Sequence, residues 1–132
     1  MSPEILWLAL TLAMTLLFWV PYVLNRMAVR GMFPAMSNPS AADKPQAPWA
    51  VRAMAAHTNA IENLVVFAPA AIGVHVLGLG NATTAFACML YFFSRLAHFI
   101  VYTAGIPVLR TIVFFGGWVA SVILVLRLLG VI

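Results

Sequence analysis

Carboxylates are nearly missing from this chain. Among 132 residues only Glu4, Asp43 and Glu62 carry one, against seven lysines and arginines. Cysteine is rarer still, with Cys88 alone, which excludes an internal disulfide framework and any cysteine cluster for a metal. The three histidines lack the spacing of a zinc or iron site, so no metal is expected. Charged residues make up 8% of the chain, far below the share of a soluble globular domain. The net charge of +4 comes from basic residues scattered around apolar segments rather than gathered in a patch or stripe, which argues against a nucleic-acid partner. No internal repeat or low-complexity segment is present.

What fills the chain instead is apolar surface. Hydrophobic residues account for 64% of it and the mean hydropathy is +1.05, values of an integral membrane protein. The fold class expected is all-α, a four-helix membrane bundle, with residues 1–132 forming a single four-span domain. A helix needs about 20 apolar residues to cross a hydrocarbon core of about 30 Å, and four segments meet that length: 5–24, 50–79, 82–103 and 108–132. Ser2 suits the cap of the first helix, Pro3 its first turn and Glu4 the positive end of its dipole. The stretch lacks a basic start and a small-residue cleavage site, so it reads as an anchor rather than a signal peptide. Residues 25–49, rich in proline and polar groups, read as a loop, and Pro69 as a kink in the second helix.

Arg26, Arg30, Lys44 and Arg52 lie in or beside the first connection and Arg110 beside the third. By the positive-inside rule the first and third loops face the cytoplasm and both termini face the opposite side, with only Arg127 dissenting.

The polar residues are few and ordered. On the third helix Tyr91, Arg95, His98 and Tyr102 recur at i, i+4, i+7 and i+11, one face of a helix. On the second, Arg52, Asn59 and Glu62 recur at i, i+7 and i+10. Glu62 and Arg95 fall at similar depth in antiparallel helices and are expected to pair, with Asn59, His98 and Tyr102 as shallower rungs. Across these rungs Arg52, Arg95 and Arg110 outnumber the single carboxylate of Glu62, an imbalance that invites an anionic ligand. Simpler roles compete: Arg52 and Arg110 at span edges suit lipid headgroups, a buried ion pair can be structural, and asparagines commonly join membrane helices. A proton or ion pathway would need polar residues in the other half of the bundle, and residues 64–79 and 82–90 offer only His75, Thr83 and Thr84. His57 and His75 lie off the stripe and read as structural or interfacial.

The segment from Arg52 through His57 and Asn59 to Glu62 and Asn63 resembles the second-helix signature of the MAPEG family, the membrane-associated proteins in eicosanoid and glutathione metabolism. Arg95, His98 and Tyr102, followed by Gly105, Pro107, Arg110 and Thr111, resemble its third- and fourth-helix signature. The likeness covers nearly the whole chain and is nearest to the short bacterial branch. It implies a homotrimer in a bacterial inner membrane, with glutathione as co-substrate held between subunits near the cytoplasmic side and a lipophilic small-molecule substrate arriving from the membrane lipids. It also implies that Asn59, Glu62, Arg95, His98 and Tyr102 bind or support glutathione and that Arg110 stabilises its thiolate. Arg52 joins them by its charge.

Two departures stand out. Ala55 and Thr58 occupy positions where the resemblance implies further arginines, and Phe114 one where it implies a tyrosine. Two functions follow from these features. The first is a glutathione-dependent transferase or peroxidase acting on lipophilic electrophiles. The alternative is a non-catalytic membrane protein that binds a lipid or another anionic thiol.

Overall fold

The computed structural model describes residues 1–132, whose regular elements are all helices. In chain order they are α1 (Pro3–Leu17), α2 (Trp19–Arg30), α3 (Met32–Met36), α4 (Pro48–Val76), α5 (Ala82–Ala104) and α6 (Pro107–Leu128). Four stretches are long and apolar enough to cross a membrane: Pro3–Arg30, Pro48–Val76, Ala82–Ala104 and Pro107–Leu128. This is the all-helical, four-span membrane architecture expected from the sequence.

Each boundary has a local cause. Ser2 accepts a hydrogen bond from the Ile5 amide and Pro3 opens α1. Phe18 separates α1 from α2, because Pro21 has no N–H with which to reach the Leu17 carbonyl four residues back. α4 continues through Pro69 as an α-helix and ends at Val76, three residues before the expected limit. Gly78 then takes the positive φ of 66° that the turn to α5 requires. Asn81 and Thr84 form a reciprocal capping box at the start of α5. Gly105, in the left-handed region, ends that helix, and Pro107 starts α6.

The expected loop over 25–49 is shorter than its composition suggests. Asn25–Arg30 remain helical, so α1 and α2 together exceed the bilayer core and α2 emerges from it. The break falls at Gly31 (φ 85°), and Met32–Met36 add one more short helix. The rest is strapped back onto α2: Arg26 donates to Gln46, Gln46 to the Tyr22 carbonyl, and Arg30 to the Lys44 carbonyl and the Asp43 carboxylate. Polar side chains that close on the chain's own backbone let a proline-rich segment hold one shape at the membrane edge.

α5 is the central helix and touches α1, α4 and α6. Its half nearest Asn81 carries the apolar core, where Leu8, Phe67, Val74, Ala87, Cys88, Tyr91, Ala120 and Leu124 pack together. Phe67 and Tyr91 stack with ring centroids 3.6 Å apart. α4 meets its neighbours through Ala50, Ala53, Ala56, Ala60, Ala70 and Ala71, all buried. Lipid tails are as apolar as leucine, so close packing of small residues rather than the hydrophobic effect holds such helices together. Thr11 and Thr15 on α1 satisfy their hydroxyls by bonding to backbone carbonyls one turn back, the saturation that a lipid environment demands.

The alanine seam gives a direct test. Ala53→Leu is expected to cost about 1–3 kcal/mol by overpacking, and to lower the unfolding temperature in detergent well below that of Val65→Leu, since Val65 is exposed on the same helix. Equal melting of the two variants would show that the seam does not hold α4.

Candidate functional site

The polar residues gather in the half of the bundle opposite the apolar core. Arg95, at 2% exposure, is the largest fully enclosed side chain in the protein. Its guanidinium donates through Nη1 to Asn59 Oδ1 (3.2 Å) and through Nη2 to the Phe114 carbonyl (2.9 Å), while Nε is buried without a partner. The rings of Tyr91 and Phe114 lie 5.5 and 5.1 Å from its central carbon. A cation at bilayer depth is costly unless protein surrounds it, and here carbonyl oxygens and aromatic faces supply the surroundings.

Space for this cation comes from α6. A Cβ on Gly117 would lie 2.5 Å from Arg95 Nη2 and 2.7 Å from Nε, and one on Gly116 would overlap the Ser94 hydroxyl. Glycine inside a helix is unfavourable by about 1 kcal/mol relative to alanine, so a Gly-Gly pair between Phe115 and Trp118 of an apolar span marks close approach. That pair is the signal in the sequence for this contact.

The expected Glu62–Arg95 pair does not form. Glu62 is exposed on the outer side of α4, and the one ion pair in the protein is Arg30–Asp43. The cause is helical geometry: at about 100° per residue, Asn59 lies only about 20° from Arg52 around α4 while Glu62 lies about 80° away. Arg52 and Asn59 therefore both reach α5, and Glu62 turns past it. Arg52 Nε donates to the Thr103 carbonyl (3.0 Å), capping the end of α5 where the helix dipole favours a cation. Seven residues further along α4, Asn59 meets Arg95, eight residues back along α5, as antiparallel helices require.

Beside Asn59 a cleft of about 280 Å³ opens, lined by Asn59, His98, Tyr102, Arg110, Thr111 and Phe114. The Arg110 guanidinium sits 4.4 Å from the centroid of the Tyr102 ring. His98 is buried and meets the rings of Tyr102 (5.6 Å) and Phe114 (6.1 Å). His98, Tyr102 and Arg110 make no side-chain hydrogen bond within the chain, and no carboxylate borders the cleft. Of the residues singled out from the sequence, the structure thus brings together Asn59, His98, Tyr102 and Arg110, with Arg95 directly behind Asn59. Arg52 and Glu62 lie outside the cleft. Tyr91 belongs to the apolar core, its hydroxyl without a partner. His57 bonds Tyr22 (2.9 Å) and meets Phe18 edge-on, a structural position. Thr111 and Phe114 complete the wall.

Gly117→Ala tests how Arg95 is held. The added methyl must displace the guanidinium, and the expected penalty is about 1–3 kcal/mol, read as a lower unfolding temperature in detergent. Unchanged stability would mean that Arg95 does not lie against the α6 backbone.

The family model described as MAPEG family matches residues 5–130. No curated protein and no solved structure matches the chain. With four membrane-spanning helices and a family match over nearly its full length, the chain belongs to the MAPEG family, the multi-pass membrane proteins of eicosanoid and glutathione metabolism.

Proposed function

We propose that this protein is a glutathione-dependent transferase or peroxidase that acts on lipophilic electrophiles. One observation carries the reading: His98, Tyr102 and Arg110 converge on a single cleft with their polar groups uncommitted and no acidic side chain among them. Such a donor set favours an anion with charge-assisted hydrogen bonds. Glutathione meets that requirement with two carboxylates and a thiol, and supplies a sulfur nucleophile for an electrophilic carbon or a peroxide oxygen.

The chain's own residues would act as follows. Arg110, steadied over the Tyr102 ring, favours the thiolate over the thiol; an ordinary thiol ionises near pH 8.5, and each unit of lowering corresponds to about 1.4 kcal/mol of differential stabilisation. Asn59, fixed by Arg95, offers its amide to the ligand, and His98 and Tyr102 donate to its oxygens. By the positive-inside rule, the basic residues of the first and third connections favour the cytoplasmic face for this end of the bundle. Lipophilic substrates reach the same level from the bilayer through the exposed apolar sides of α4 and α6.

A homotrimer fits the same reading. Glu62 projects from α4 without a cation partner among exposed Ile61, Val65 and Val66, a costly arrangement against lipid. A neighbouring subunit at that face would cover the charge and close the cleft, giving room for a whole tripeptide.

Two measurements test these assignments. Arg110→Ala is expected to slow conjugation of a generic aryl halide at neutral pH by at least about tenfold, the factor that one unit of thiol pKa carries. Its pH–rate midpoint should move to higher pH, because removal of a cation makes the thiolate harder to form. Equal rates with an unmoved midpoint would remove Arg110 from this role, and tight binding of anionic lipid without any glutathione binding would favour the non-catalytic alternative. Glu62→Lys is expected to weaken self-association in native mass spectrometry while leaving helical content intact; an oligomer unaffected by the charge reversal would place the subunit contact elsewhere.

A further inference from the structure

The opposite end of the bundle holds a second polar site that the proposed catalysis does not use. Glu4, in the first turn of α1, is 2% exposed. Its Oε1 accepts a hydrogen bond of 2.7 Å from Thr84 Oγ1, and Thr84 Oγ1 in turn accepts one of 2.8 Å from the Asn81 amide. Its other oxygen, Oε2, makes no close hydrogen bond of its own, although the Ser2 hydroxyl and the Glu4 amide stand near the carboxylate. Glu4 borders a groove of about 410 Å³, with Ser2, His75, Gly78, Asn81 and Ala85 among its other lining residues. Gly80 leaves room for the carboxylate, since a Cβ there would lie 2.9 Å from Oε1.

No arginine or lysine pairs with this carboxylate, and His75 is the titratable basic side chain that shares its groove. The sole ion pair is Arg30–Asp43, and Arg127, the basic residue at this end, donates instead to the carbonyls of Leu79 and Ile132. Glu4 and His75 are joined by no third acidic, histidine or cysteine side chain, too few donors for a divalent metal. The groove also carries the opposite polarity. The amides of Ala82 and Thr83, in the first turn of α5, have no acceptor within the chain, and such orphan donors at a helix start favour a phosphate. His75 adds an exposed ring beside them.

A buried acceptor for a cation and nearby donors for an anion, at the level where membrane helices begin and end, match one kind of molecule. We propose that this groove binds the headgroup of an aminoethyl phospholipid, the primary ammonium donating to Glu4 Oε2 and the phosphate accepting from the start of α5 and from His75. A trimethylammonium headgroup has no N–H to donate. A polyol headgroup brings no cation. The inference stands on residues separate from the cleft at Arg110 and does not depend on its chemistry.

Native mass spectrometry of the delipidated full-length protein, offered equal amounts of phosphatidylethanolamine, phosphatidylcholine and phosphatidylglycerol with identical acyl chains, tests it. Wild type is expected to retain phosphatidylethanolamine over the other two by on the order of tenfold, the factor that a charge-assisted hydrogen bond carries. Glu4→Gln should abolish the preference. Ala85→Leu, which fills the groove and leaves the carboxylate in place, should do the same and serves as the deciding variant if Glu4→Gln does not fold. Equal retention of the three lipids by wild type, or a preference that survives Ala85→Leu, would overturn the proposal. Displacement of the bound lipid by an equal concentration of soluble phosphoethanolamine would overturn the lipid assignment in favour of a soluble amine phosphate.

Discussion

A guanidinium held inside the bilayer without a carboxylate is the constraint around which the functional half of this protein is built. Arg95 cannot be left to lipid, and the chain satisfies it with Asn59, the Phe114 carbonyl and two aromatic faces. Each of those contacts fixes a neighbouring element. Asn59 sets the register of α4 against α5, Phe114 sets that of α6, and Gly117 is the space the arrangement needs. The cleft lies directly on this scaffold, so the side chains that face it, His98, Tyr102 and Arg110, stand on helices whose relative positions are already determined.

Solvating Arg95 with carbonyls rather than pairing it with Glu62 also matters for what the cleft can do. A carboxylate beside the guanidinium would have cancelled the field of one sign that the remaining residues supply. With Glu62 turned outward, the cationic character near Asn59 persists, and Arg110 adds to it at the mouth. The two ends of the bundle are complementary in this respect. One is positive around Arg95 and Arg110, while the other holds the buried carboxylate of Glu4, tied through Thr84 to the cap of α5.

Much of this was legible in the residue order. The number of spans, their approximate limits and the face shared by Arg95, His98 and Tyr102 follow from hydropathy and the 3.6-residue period, both local properties. So does the structural position of His57, five residues from Glu62 and off the stripe. The Glu62–Arg95 pair expected from the spacing does not form because positions seven and ten residues from Arg52 do not share one face, the second departing by about 80°. In the sequence Glu4 marks only a helix start. Its burial depends on Thr84, eighty positions away in sequence, and no periodicity announces such a contact.

The sequence by itself determined that this chain lives in a membrane as four helices and that most of its lysines and arginines gather toward one end, because the free energy of placing each residue in lipid or water depends on that residue and its near neighbours. Only the tertiary structure decided which polar groups face one another. A helix can offer Arg95 to any side of the bundle, and the choice of Asn59 and Phe114 over Glu62 came from interhelical packing, where alanines on α4 and glycines on α6 allowed backbones close enough for those contacts to form.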